Sequence, residues 1–147
     1  MTTILSRPLA AALLVAIVAA CSASPASAPA ASAGASAPAA SGNRPSSPAV
    51  VAIVKPTTGE SVTGTTVHVV LTLTGAQIVS ATTTNITPDQ GHVHLYVDNL
   101  LVSMNYGLEQ DLPVHAGTYV LKAEFVAADH APFNPRVWSP EVFFTVK

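Results

Sequence analysis

The residues with most chemistry to offer in this 147-residue chain are its five histidines. His92 and His94 stand two apart. On a β-strand, side chains at that spacing project from one face, so two imidazole nitrogens can reach one metal ion about 2.0 to 2.1 Å away. Asp129 and His130 follow later in the chain. A set of His92, His94 and His130, with Asp129 as ligand or as an acceptor behind the ligands, suits copper(II) or zinc(II) through neutral imidazoles. Soft ligands are scarce: Cys21 is the single cysteine, and Met104 is the only methionine besides Met1. Copper(I) transport is therefore not expected. The alternative is that the histidines hydrogen-bond loop carbonyls and pair with Asp89, Asp98 or Asp129, which would organise long loops without any metal.

Strands must position these residues. Residues 91–98 alternate, with Val93, Leu95 and Val97 inward and His92, His94, Tyr96 and Asp98 outward, and Asp98-Asn99 then turns the chain into residues 100–102 as a hairpin. Thr66–Thr74 alternates as cleanly, with Val67, Val69, Leu71 and Leu73 on one face. Residues 50–54 read as a first strand ended by the turn-forming 55–59, and residues 117–126 and 142–146 as the last two. No window has 3.6-residue apolar periodicity, so helix content near zero is expected. The expected fold is all-β, a single immunoglobulin-like antiparallel β-sandwich over residues 49–147. If 91–98 is strand C and 117–126 strand F, the loops entering C and leaving F share one end, which brings Asp129 and His130 to His92. His115 then falls at the opposite end, and His68 stands alone on strand B.

Two stretches carry resemblances. Leu112-Pro113-Val114-His115-Ala116-Gly117-Thr118-Tyr119-Val120-Leu121 resembles the tyrosine corner of immunoglobulin-like folds. This implies that Tyr119 bonds back to the preceding turn and that Leu121 takes the second-cysteine position by apolar packing against residues such as Leu71. Residues 91–98, together with 123–130 and Pro132-Phe133-Asn134-Pro135, resemble uncharacterised extracytoplasmic bacterial domains, a likeness that implies no activity. Phe133, Arg136 and Trp138 sit in a proline-rich segment read as a loop, a contact surface for an envelope protein or glycan partner unless the tryptophan simply closes the sandwich end.

The first part of the chain is an address. A short start with one positive charge precedes the apolar run 9–20, which fits a signal peptide and is short for a bilayer span. Val18-Ala19-Ala20-Cys21 resembles the lipobox of bacterial lipoproteins. The resemblance implies removal of residues 1–20, acylation of Cys21 with palmitate-type chains, and an extracytoplasmic position at the cell membrane or outer membrane. Ser22, rather than aspartate, by the same resemblance carries no inner-membrane retention signal. Residues 21–48 are almost wholly Ala, Ser, Pro and Gly and are expected to be a disordered tether, reaching from about 30 Å as a coil to about 80 Å as polyproline.

Composition removes several functions. With 10% charged residues and a net charge of -2, the chain has no basic stripe for nucleic acid. One cysteine excludes an internal disulfide. There is no Gly-x-Ser-x-Gly elbow and no evident carboxylate pair, and Glu109 and Asp111 read as solvated edge charges, so no catalytic residues are expected. Two readings remain: a lipid-anchored, non-catalytic binding module displaying loops with His92, Phe133 and Trp138, and an envelope copper(II) or zinc(II) protein using the histidines.

Overall fold

The computed structural model describes residues 43–147, and among them there are strands and no helix. Cys21, the lipobox and all of the expected tether before residue 43 lie outside the described residues. The strands are β1 (Val50–Lys55), β2 (Glu60–Val62), β3 (Thr66–Thr74), β4 (Gln77–Ile78), β5 (Gln90–Val97), β6 (Leu100–Asn105), β7 (Glu109–Pro113), β8 (Gly117–Ala127), β9 (Pro132–Trp138) and β10 (Val142–Val146). One sheet runs β1-β3-β7; the other runs β2-β10-β8-β5-β4, with β6 also on β5 and β9 also on β8. In immunoglobulin lettering these are A-B-E and G-F-C-C′. The fold is an all-β, immunoglobulin-like sandwich.

Period-two patterning places the core where alternation predicts it. Val67, Val69 and Leu71 of β3 meet Val93 and Leu95 of β5 and Leu121, Ala123 and Phe125 of β8 in one buried cluster. Leu121 and Leu71 share this core. The Tyr119 hydroxyl donates to the His115 carbonyl at 3.0 Å, the bond expected of the tyrosine corner. Asp98 and Asn99 have φ of 50° and 68°, the two left-handed residues a type I′ hairpin needs between β5 and β6.

Apart from two short parallel pairings, β2 with β10 and β4 with β5, in a sandwich expected to be antiparallel, the fold departs from the sequence reading in three places. His92, His94 and Tyr96 occupy the face of β5 away from the core as expected, yet they are fully buried. Their cover includes β9, which the sequence reading treats as a loop: its register on β8 pairs Trp138 with Glu124, Val137 with Phe125 and Pro132 with Val126. The prolines conceal this strand, which is interrupted: residues 133–136, Pro135 among them, fall between the pairs Val126–Pro132 and Phe125–Val137 and have no partner on β8. Finally, the folded unit begins before Ala49. The Asn134 N–H donates to the Pro45 carbonyl at 3.0 Å, and Arg44 is bonded into the loop before β9.

Candidate functional site

β5 runs antiparallel to β8, pairing Gly91 with Ala127 and His92 with Val126, so the loop leaving β8 returns over the start of β5. Gly91 permits this close approach, since a Cβ there would overlap the Val126 carbonyl oxygen. The β8–β9 loop carries His130 in the left-handed region at φ 66°, with its N–H donating to the Ala127 carbonyl at 2.9 Å. That turn aims the His130 ring at His92, with ring centroids 4.2 Å apart.

His92, His94 and His130 each offer a ring nitrogen such that all three atoms lie within 4.8 Å of one another. His92 Nε2 and His130 Nδ1 are 2.8 Å apart and share a hydrogen bond, and His130 Nε2 lies 3.3 Å from Thr82 Oγ1. His94 is different. It is 1% exposed, and among the described residues neither of its ring nitrogens has a hydrogen-bond partner. His92 Nδ1 is buried without a partner as well. Burying an unsatisfied polar atom costs about 1 to 3 kcal/mol, so folds rarely tolerate such a group without a use for it. Tyr106, just after β6, closes the outer side of the cluster, its ring 5.0 Å from that of His92.

Burial above all keeps the His92 and His94 rings uncharged. Burial, with the neighbouring His130, pushes His92 down to about 4, and Asp129 only partly offsets this. Burial, then His92, His130 and Arg136, pushes His94 down to about 4. At neutral pH both are free bases with lone pairs available to a metal.

Asp129 is not a ligand in this arrangement. Arg44 grips its carboxylate with two bonds, Nη1 to Oδ2 at 2.6 Å and Nη2 to Oδ1 at 2.7 Å, and donates further to the carbonyls of Pro132 at 3.0 Å and Ala131 at 3.1 Å. Burial acts to raise the Asp129 carboxyl, but Arg44 and the Ala131 N–H together outweigh it and hold it below the usual carboxylate range. Asp129 thus fixes the loop that presents His130, and its charge bears on His92. The sequence reading misses Arg44 because it looks like part of the tether.

A second group missed from sequence lies beside the histidines. Glu124 of β8, directly opposite His94, is fully buried. Arg136 donates to its two oxygens at 2.5 and 2.7 Å, and the Tyr96 hydroxyl donates to Oε2 at 3.0 Å. Burial and the Glu124 carboxylate push the Tyr96 phenol up. The bonds from Glu124 push the Arg136 guanidinium up despite its burial. Trp138 caps this network: its ring lies 5.1 Å from Tyr96, with Lys122 Nζ at 4.7 Å and the Arg136 guanidinium carbon at 4.6 Å from its centroid. The signal for Glu124 and Arg136 was an opposite-charge pair flanking the turn between β8 and β9, readable only once β9 is recognised as a strand.

Comparison with known proteins adds a likeness of shape. The chain matches no protein-family model and no curated protein. Among solved structures it is similar to the fibronectin(III)-like modules of Clostridium thermocellum CbhA, at 24% identity and a TM-score of 0.49. The match covers 67% of this chain and 46% of that one, so this chain spans less than half of that chain's length. The fold assignment rests on the strand order and core described above.

The remaining sequence-derived sites fall elsewhere. Phe133 is 0% exposed and stacked on Phe125 at 5.6 Å between centroids, so it belongs to the core and is not a contact residue. Arg136 is committed to Glu124. His68 stays apart from the cluster as expected, its Nδ1 2.8 Å from Asp111 Oδ1 at an exposed position on β3. His115 turns at the far end, beside the tyrosine corner, as the topology implied.

Proposed function

We propose that this chain is an exported, lipid-anchored protein whose immunoglobulin-like domain binds copper(II), and more weakly zinc(II), through His92, His94 and His130. One observation carries the reading: His94 is buried with both nitrogens unpartnered among the described residues, beside two further imidazoles whose nitrogens lie within 4.8 Å. The anchor is Cys21, supported by the residues 18–21 and the apolar run before them.

Copper(II) is placed ahead of zinc(II) by the general affinity order of divalent metals at nitrogen sites. With metal–nitrogen bonds of 2.0 to 2.1 Å, two ligand nitrogens lie about 2.9 Å apart at a right angle and about 3.3 Å apart at the tetrahedral angle. The 2.8 Å between His92 Nε2 and His130 Nδ1 is that of their shared hydrogen bond, so metal binding displaces the shared proton and turns both lone pairs towards the ion.

The test is thermal unfolding of the full-length chain in detergent after chelation, then with one equivalent of copper(II) or zinc(II). A site a thousandfold saturated gains about 4 kcal/mol, which for a domain of this size raises Tm by at least about 10 °C. The copper(II) form should show nitrogen couplings in its electron paramagnetic resonance spectrum. Both signals should vanish in His94→Ala and in His130→Ala. No Tm shift and no nitrogen coupling in the wild type would end this reading and return attention to a protein or glycan partner.

A further inference from the structure

We propose that Met104 supplies a fourth, thioether ligand to the histidine cluster, so that the site retains copper(I) as well as copper(II). This rests on the copper reading above and goes further, because it assigns metal selectivity to a residue outside the three imidazoles.

The register places Met104 there. β5 and β6 pair His94 with Met104, while β5 and β8 pair the same His94 with Glu124. Residues directly opposite in an antiparallel ladder project from one face, with Cβ atoms about 4.5 to 5.5 Å apart. His94 is therefore flanked by one side chain on each neighbouring strand. On the β8 side Glu124 is fully engaged by Arg136 and Tyr96. On the β6 side Met104 is 53% exposed, and Tyr106, two residues on, stands over His92. Among the described residues the rim of the cluster on this side is thus a methionine and a tyrosine, and the methionine carries the soft donor.

Chemistry then decides what that donor is for. A methionine side chain has three rotatable bonds and can swing from solvent over its cross-strand neighbour at small cost. Thioether sulfur binds copper(I) and has little affinity for zinc, whereas imidazole serves copper in both oxidation states and zinc alike. Three imidazoles plus a mobile thioether can follow a change of copper oxidation state without rebuilding the strands. The sequence offers no reason to pair Met104 with His94, since their opposition depends on the bulge between Leu95 and Tyr96 that shifts the β5–β6 register.

The experiment compares full-length wild type with Met104→Leu and His94→Ala. Copper(I) affinity is measured anaerobically by competition with a chromogenic copper(I) chelator, copper(II) affinity by competition with a copper(II) chelator, and X-ray absorption reports sulfur at the copper(I) form. Met104→Leu should lower copper(I) affinity at least about tenfold, remove the sulfur signal and leave copper(II) affinity within about twofold, while His94→Ala should lower both. Met104 is half in solvent, so its replacement leaves the fold intact, which unchanged thermal unfolding of the metal-free variant verifies. Wild type that holds copper(II) but not copper(I), or a Met104→Leu variant with wild-type copper(I) affinity, overturns the thioether assignment and leaves the imidazole site standing. Failure of the wild type to bind copper in either state overturns both.

Discussion

Replacing His94 by leucine should make the metal-free protein more stable while removing its metal site. His94 is buried with two nitrogens that bond to nothing among the described residues. Leucine is close to histidine in volume and relieves that desolvation, worth about 1 to 3 kcal/mol at pH 7.5. Acid should widen the gap. His94 is pushed down to about 4 in the fold, against an ordinary 6.5. Below pH 6.5 the unfolded chain therefore takes up a proton that the folded protein refuses, and wild-type stability falls as pH falls until about pH 4, where the folded state protonates too. At pH 5 this is a unit and a half at about 1.4 kcal/mol per unit, roughly 2 kcal/mol that the leucine variant does not lose. His92 imposes the same direction of slope on both proteins, since it too is pushed down to about 4. The assay is denaturant unfolding of chelated protein at pH 7.5 and pH 5.0. A His94→Leu protein that is no more stable than wild type at pH 7.5, with an unchanged loss at pH 5.0, would refute the argument that an unsatisfied imidazole is kept here at a cost to stability.

Three further outcomes follow from the same geometry. Arg44→Ala should cost about 2 to 3 kcal/mol in denaturant unfolding, because it strips a partly buried carboxylate of its cation, and should weaken copper(II) binding about tenfold in a chelator competition by freeing the His130 loop. Gly91→Ala should lose at least about 2 kcal/mol of stability, read by the same unfolding assay, since its methyl would press on the Val126 carbonyl and part β5 from β8. Cys21→Ser should move the protein from the membrane to the soluble fraction and abolish incorporation of labelled palmitate; retention at the membrane would count against acyl anchoring.

The sequence by itself determined the strands whose alternation is clean. β3 and β5 each present one apolar face, a two-residue period fixes which side chains share a face, and Asp98-Asn99 fixes a hairpin because few other residues accept two left-handed conformations. His92 and His94 were legible as a pair for that reason, and His130 joined them through topology alone. What sequence could not decide was burial of the outward face. A polar residue on a sheet's outer side is read as solvated, and only the return of β9 across β8, with two prolines in its span, turns that face into a second, polar interior holding Glu124, Arg136 and the histidines. Arg44 and Met104 escaped for a related reason. One lies among tether-like residues 85 positions from Asp129, and the other is registered opposite His94 only through a bulge, so both depend on pairings that no local pattern of residues records. Local alternation sets the direction of a side chain, whereas what waits there to cover or bond it is set by parts of the chain far away in sequence.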